Sequence, residues 1–242
     1  MLAALALAGN HAPAQAGAPF QTDDPDTVAT GHYEALLFYQ QTLAADGRSG
    51  VLPGLELHYG AAPNLELDLV APIGFHAPPG KPAERGYGDT VLALKYALIR
   101  ETETTPQVGF VPKLDLPTGN ADRGLGSGGS AWFLPVWLQK SDGNLRTYGG
   151  GGYWVNRGSG NRNYWFVGWE AEYRLSDHWL AGAEVFHTTP QTVEQRPSTG
   201  FNVGGSYTLS DRGQLLFSFG KGLSNAKQTN RVSSYLGCQL NF

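Results

Sequence analysis

Apolar and polar residues alternate along most of the chain after residue 30, in segments of about ten residues separated by turn-forming residues. In one such segment, Leu65, Leu67 and Leu69 alternate with Glu66 and Asp68. A period of two is that of a β-strand with one apolar and one polar face. The pattern predicts twelve strands, at residues 31–43, 51–60, 64–74, 88–99, 106–117, 131–140, 145–155, 163–175, 178–188, 200–209, 213–222 and 232–242.

The connections between these segments differ in length in a regular way. Those after odd-numbered strands are long, at 45–50, 75–87, 118–130, 156–162, 189–199 and 222–231. Those after even-numbered strands are mostly tight, at 61–63, 141–144, 176–177 and 210–212, with 100–105 as the longer one. This sorting is typical of a transmembrane barrel with an even strand number. The predicted fold is therefore all-β, a closed antiparallel transmembrane β-barrel of about 12 strands with both termini periplasmic.

The last strand predicts how the barrel closes. Residues 232–242 alternate and end on an aromatic residue, Phe242, and eleven residues are about enough to cross a bilayer as a tilted strand. We expect this strand to pair with the first one. A terminal Phe on an alternating strand resembles the assembly signal of bacterial outer-membrane barrels, which implies the barrel assembly machinery as a partner. The alternative from this stretch alone is the final strand of a soluble sandwich.

Composition agrees with strands that face lipid on one side and a lumen on the other. Charged residues are 16%, below the usual ~25%, and the chain has 33 glycines and 12% aromatic residues. A mean hydropathy of -0.28 argues against a helical membrane protein. A net charge of -4 argues against a nucleic-acid partner. The lone Cys238 excludes an internal disulfide and a cysteine metal cluster. We expect no cofactor and no metal.

The first 30 residues precede the alternating pattern. Residues 1–16 contain a short apolar run and a small-x-small cleavage form, which predicts a signal peptide, although a basic n-region is missing. The alternative is an Ala-rich tail. Residues 17–30 are an acidic, proline-bearing arm, expected either in the periplasm or in the barrel mouth. Residues 31–242 form the predicted barrel, which we expect in the bacterial outer membrane with lipids as partners.

Charged residues fall on the predicted inward face. The inward acids are Glu34, Glu56, Glu66, Asp68, Asp115, Glu170, Glu172 and Glu184, and the inward bases are Lys95, Lys113, Arg146 and Arg174. One interpretation is a lumen that favours cations or dipolar solutes. The other is a ladder of ion pairs that fills a small barrel and holds it rigid. For a small-molecule solute, the predicted path is lined by Glu66, Asp68, Lys95, Lys113, Asp115, Glu170, Glu172, Arg174 and Glu184.

Aromatic residues gather near predicted strand ends. We expect them to form two girdles at the membrane borders: Tyr59, Tyr87, Trp132, Trp137, Tyr153, Trp154, Tyr164, Trp165, Trp179 and Phe242. The tetraglycine 149–152 lies inside a strand. It makes room for a bulky inward group such as Trp137 or for a bound solute, or it marks a bend.

Several motifs resemble those of one protein family. They are Tyr148–Trp154, Asn161–Trp165, Glu184–His187, Ser198–Asn202, Phe20–Asp24 and Leu116–Gly119. Together they resemble a family of Gram-negative outer-membrane barrels, described as transporters or as proteins of the meta pathway of phenol degradation. The resemblance covers most of residues 20–242. It implies uptake of aromatic or other apolar compounds.

The function that these observations predict is that of an outer-membrane channel for passive passage of small solutes, including apolar or aromatic ones, and not that of an enzyme. One alternative is a structural or adhesive barrel with a filled lumen. A third is a barrel lipid hydrolase, which needs a serine, a histidine and an acid or amide on adjacent strands at one end. His187 lies at such an end, but no serine motif accompanies it.

Overall fold

The computed structural model describes residues 17–242, so the predicted signal peptide at 1–16 lies outside the described residues. The strands are β1 Tyr33–Ala44, β2 Gly47–Ala62, β3 Leu65–Ala77, β4 Glu84–Tyr87, β5 Thr90–Ile99, β6 Gln107–Phe110, β7 Lys113–Leu116, β8 Ala131–Asp142, β9 Leu145–Asn156, β10 Tyr164–Arg174, β11 Trp179–Thr188, β12 Ser198–Ser210, β13 Gly213–Ser224 and β14 Val232–Asn241. The described helices are a 3-10 turn over Ala121–Arg123 and an α-helical turn over Ala226–Thr229. Neither helix is long and apolar enough to cross a membrane.

These segments form one closed antiparallel barrel. The pairings run round the whole sheet, and β1 pairs with β14. At the seam, Tyr33 and Phe242 exchange backbone hydrogen bonds of 2.9 and 3.1 Å. The predicted all-β closed antiparallel barrel and the pairing of the last strand with the first are confirmed.

Fourteen segments make twelve barrel strands because two strands are interrupted. β4 and β5 both pair with β3, so they are two halves of one strand. β6 and β7 both pair with β5 and β8, and Val111 and Pro112 separate them. Pro112 has no N–H for the ladder, which explains the second interruption.

The two faces of the wall are sorted as the alternation predicts. In β3, Leu67 is 44% exposed on the outside, whereas the adjacent Glu66 is 3% exposed on the inside. Other outward aliphatic side chains, such as Leu94, Leu134 and Val203, are similarly exposed. A continuous apolar exterior around a closed barrel is stable in hydrocarbon, because every strand has its backbone partners within the wall. The wall is therefore membrane-spanning.

Long connections lie at one end of the barrel, called here the loop end. They run between β3 and β4, β7 and β8, β9 and β10, β11 and β12, and β13 and β14. The opposite end, called the terminal end, holds Tyr33, Phe242 and mostly short turns. The predicted long loop at 45–50 is wrong, because β1 and β2 meet in a two-residue turn at Ala45 and Asp46. Gly47, with a φ of +125°, allows the chain to re-enter the sheet at once.

Outward aromatic pairs mark both ends of the wall. The ring centroids of Tyr33 and Tyr59 are 4.5 Å apart at the terminal end, and those of Tyr153 and Trp165 are 5.0 Å apart at the loop end. Three residues predicted for the girdles are instead buried inside the barrel: Trp137, Trp154 and Tyr164. They occupy strand positions of inward parity, so the strand alternation overrides their closeness to a strand end.

Candidate functional site

Residues 17–28 of the N-terminal arm lie inside the lumen, and residues 29–32 are exposed at the terminal end. Phe20 and Thr22 are 1% and 0% exposed. The chain joins the barrel wall at Tyr33, where β1 begins. An irregular segment surrounded by wall needs a partner for each of its buried backbone groups. Inward side chains of the barrel supply many of these partners, so the arm is a plug held by the wall.

Glu184 of β11 binds the tip of the arm. Its carboxylate accepts hydrogen bonds from the backbone N–H of Gln21 and of Thr22, both 2.8 Å, and from the Thr22 hydroxyl at 2.7 Å. The Asn202 amide donates to the same carboxylate from β12. On the other side of the arm, the Ser218 hydroxyl donates to the Pro19 carbonyl at 2.6 Å. Side chains of the neighbouring strands β11, β12 and β13 thus hold residues 19–22 of the arm.

Two lysines of the wall hold Asp23. Lys95 Nζ is 3.0 Å from Oδ1, and Lys113 Nζ is 3.0 Å from Oδ2. Burial alone raises the pKa of the Asp23 carboxyl, but the nearby ammonium groups of Lys113 and Lys95 outweigh burial and hold that pKa well below its usual range. Asp23 is therefore charged, and its two ion pairs bind the arm to β5 and β7.

Further along the arm, Asp26 binds side chains of β6, β8 and β9. Gln107 and Gln139 donate to its two carboxylate oxygens at 2.8 and 3.0 Å. Arg146 is 3.1 Å from Asp26 and 2.7 Å from Glu172. The arm is therefore bound to strands on several sides of the lumen and does not rest against one wall only.

Most of the predicted path residues lie where the arm docks. Six are buried: Glu66, Lys95, Lys113, Glu170, Glu172 and Glu184. Asp68 and Asp115 are half-buried. Arg174 is exposed at the last residue of β10, where the wall ends at the rim of the terminal end. Of these residues, Glu66, Lys95, Lys113 and Glu184 bind the arm directly.

The lumen holds two chambers of different character, and arm residues line only the one at the terminal end. The chamber at the loop end has a volume of about 130 Å³ and a mixed lining. Phe38, Val91 and Trp154 form its apolar and aromatic part, and Asp89, Asp115 and several uncharged polar side chains form the rest. The chamber at the terminal end has a volume of about 360 Å³ and is lined mainly by charged residues. A solute that crosses the barrel meets both environments in turn.

An aromatic cluster forms the wall beside the first chamber. The rings of Phe133 and Trp154 stack at 4.7 Å between centroids, and those of Trp154 and Tyr164 at 5.6 Å. Trp137 is fully buried and lies opposite Gly150 in the β8–β9 pair. A Cβ at Gly150 would lie 3.2 Å from the Trp137 ring. The tetraglycine thus leaves room for an inward Trp137, one of the roles expected for it.

No role for His58 was predicted from the sequence, but the structure places this residue in a cluster of acids. His58 Nδ1 is 2.8 Å from Asp68 and 3.3 Å from Glu66, and Nε2 is 3.7 Å from Glu56. All four side chains line the chamber at the terminal end. The signal was present in two short motifs, Glu-x-His in β2 and Glu-x-Asp in β3, but only the strand register brings them together.

Comparisons with solved structures agree on the fold. An outer membrane channel from Pseudomonas putida F1, described as COG4313, has a TM-score of 0.73 at 18% identity, covering 90% of this chain and 98% of that one. The NanC porin has a TM-score of 0.60 at 10% identity, covering 86% and 98%. The KdgM porin in complex with oligogalacturonate has a TM-score of 0.59 at 10% identity, covering 87% and 99%. A comparison with curated protein sequences gave no match.

A family model covers almost the whole described chain. It matches residues 16–241 and is described as "Putative MetA-pathway of phenol degradation". The match includes the arm, the charged wall that binds it and all strands of the barrel. The chain belongs to this family of phenol-degradation meta-pathway proteins, as its sequence motifs implied.

Proposed function

We propose that the protein is an outer-membrane channel for small apolar or aromatic solutes, and that its N-terminal arm closes the lumen at rest. The observation that carries this proposal is the chamber at the loop end. Part of its lining is apolar and aromatic, formed by residues such as Phe38, Val91 and Trp154, and a few polar side chains complete it. A filled structural barrel has no need of a cavity lined in this way, whereas a binding site for an apolar solute does.

Orientation follows from the connections. In outer-membrane barrels the long loops are extracellular and the short turns are periplasmic. The loop end then faces the outside, and the aromatic chamber is the first one that an incoming solute meets. The arm and the charged chamber lie towards the periplasm. The solved structures with a similar fold are a channel and two porins, which supports passage through the lumen.

Passage requires the arm to move. The arm contacts β5, β6, β7, β8, β9, β11 and β13 through the bonds described above, so the channel opens when the arm exchanges some of these bonds for others. Lys95, Lys113 and Glu184 then act as the wall that docks the arm. In this proposal the predicted path residues hold the arm in place while the channel is closed, and they do not bind the solute in that state.

Transport by reconstituted protein tests the proposal. Liposomes with the wild-type barrel are expected to take up a small aromatic compound faster than a sugar of similar size. Trp154→Ala removes a ring from the chamber and is expected to lower aromatic uptake several-fold. Trp132→Ala is the matched control, because Trp132 is 46% exposed on the outer face. Equal uptake by both variants would contradict the role of the chamber.

The second candidate is a closed barrel that works through its outer loops. The buried, ion-paired arm favours it, since the arm occupies part of the lumen and is bound to the wall. The two functions differ in the behaviour of the intact protein. The wild-type barrel, with its arm present, passes small solutes if the channel proposal is correct. No uptake by the folded wild type, together with uptake by a variant that lacks residues 17–30, would leave the closed barrel.

A lipid hydrolase has no comparable support. His187, the histidine considered for it, lies at the end of β11, and its Nδ1 is 2.8 Å from the Thr199 hydroxyl. A catalytic triad requires a serine or cysteine nucleophile at the ring and a carboxylate or amide behind it. The contact of His187 with Thr199 is the pairing expected between two neighbouring strands.

A further inference from the structure

We propose that His58, Glu66 and Asp68 form a binding site for a divalent transition-metal cation, with Zn²⁺ as the representative ion. The three residues lie on the paired strands β2 and β3, and their side chains point into the chamber at the terminal end. One nitrogen and the carboxylate oxygens lie within 4.8 Å of one another. An imidazole with two carboxylates is a donor set that Zn²⁺ uses in proteins.

The distances fit such a site. Zn²⁺ lies about 2.0–2.2 Å from both nitrogen and carboxylate oxygen ligands. Two such ligands at an angle of about 90–110° are then roughly 2.9–3.5 Å apart. Nδ1 of His58 is 2.8 Å from Asp68 Oδ1 and 3.3 Å from Glu66 Oε1. A cation could therefore take the place of the proton shared between this nitrogen and the carboxylates with only small side-chain movements.

A second observation comes from Glu56 on the opposite side of the imidazole ring. Its Oε1 is 3.7 Å from His58 Nε2. Glu56 is 7% exposed, and its Oε2 has no hydrogen-bond partner among the described residues. A histidine that binds a metal through one ring nitrogen commonly donates the other N–H to a carboxylate, which fixes the ring. Glu56 is placed to do this and is a positioning residue in the proposal.

Charge in the chamber favours a cation. Seven Asp or Glu residues line it, against three Lys or Arg residues. Two of those bases, Lys95 and Lys113, already contact Asp23 of the arm. A divalent cation compensates the remaining carboxylates inside a confined space, where an unbalanced charge is costly.

The site is joined to the arm. The second carboxylate oxygen of Glu66 accepts a hydrogen bond from the backbone N–H of Val28. A cation on Glu66 therefore orders a residue that also binds the arm. We expect metal binding to stabilise the arm in its docked position, in addition to neutralising the chamber.

Zinc binding by the purified, detergent-solubilised barrel tests the proposal directly and does not depend on transport. Isothermal titration of the wild-type protein with Zn²⁺ is expected to give one site per chain. His58→Gln and Asp68→Asn are expected to weaken Zn²⁺ binding by at least 100-fold. Glu56→Gln is expected to weaken it by about 10–100-fold, as for other residues that orient a metal-binding histidine. His187→Gln is the matched control and is expected to bind Zn²⁺ as the wild type does.

Three results would overturn the proposal: no Zn²⁺ binding by the wild type, binding that survives both ligand substitutions, or Ca²⁺ binding at the same strength, since Ca²⁺ takes oxygen ligands and does not need His58. Heat-modified migration on gels checks that each variant is folded. If a ligand variant does not fold, Co²⁺ added to the wild type gives a second measurement. Intense visible absorption indicates tetrahedral coordination, and its absence contradicts the site.

Discussion

Replacing Asp23 by Asn removes the charge by which the arm is held between two lysines, at nearly constant side-chain size. Asp23 has ammonium groups at 3.0 Å on both carboxylate oxygens and is 2% exposed. Removing one member of a buried ion pair costs about 3–5 kcal/mol. Asp24, 3.4 Å from Lys95, compensates in part, so we take the lower value of about 3 kcal/mol. Because about 1.4 kcal/mol is a factor of ten, the docked arm is disfavoured roughly 100-fold.

Planar bilayer recordings measure this effect. We expect the Asp23→Asn channel to spend a much larger fraction of time in a conducting state than the wild type. A fluorescent label near residue 17 gives an independent reading, because release of the arm exposes the label to a water-soluble quencher. Both signals should change together, since they report on the same movement.

The control is Asp211→Asn, which removes an acid from an exposed turn. It should leave conductance and quenching unchanged. If Asp23→Asn also leaves both unchanged while the barrel is folded, the ion pairs with Lys95 and Lys113 do not hold the arm, and the gating argument fails.

Other predictions follow from the wall and from the pKa of Asp23. Leu69→Arg, in the middle of the outer face, should destabilise the barrel by about 2–4 kcal/mol in a lipid-bilayer unfolding titration, whereas Leu98→Arg near the strand end should cost about 0–1 kcal/mol; equal costs would contradict the membrane position. Gly150→Leu places a side chain at a φ of +150° and against the Trp137 ring, so the folded fraction on gels should fall sharply, while Gly213→Ala, with ordinary contacts, should fold normally. The pKa of Asp23 is lower in the docked arm than in an unfolded chain, so its contribution is complete above the unfolded pKa and is lost only as the pH falls through the folded value. Asp23 itself should therefore stay ionised at pH 4, and the Asp23→Asn substitution should still increase conductance there; loss of its effect at pH 4 would show that Asp23 had already been protonated.

Much of the barrel is predictable because a strand's faces are set by local alternation. The outward leucines and the inward Glu66, Lys95 and Glu170 follow from a period of two, and the wall confirms their sides. The same rule would have placed Trp137 and Trp154 inside, since their neighbours on either side face outward. Closeness to a strand end was the weaker signal for these aromatic residues.

The arm is the part of the site that the sequence could not place. Residues 20–26 have no periodicity, so a location inside the lumen and one in the periplasm were equally open. The acids of the arm and the bases of the wall complement each other in sign, but sign does not identify pairs. Asp23 contacts both Lys95 and Lys113 because β5 and β7 are paired neighbours, with Ala93 opposite Lys113, so the two lysines lie on the same part of the lumen wall.

The two chambers make the two ends of the lumen different in charge. The chamber at the loop end has two acids, Asp89 and Asp115, among apolar and uncharged polar residues, whereas the chamber at the terminal end has seven acids and three bases. Cations therefore accumulate more strongly at the terminal end than at the loop end. Once the arm is displaced, the current through a single inserted barrel should rectify when the voltage is reversed, and the sign of that asymmetry reports which way round the molecule sits in the bilayer.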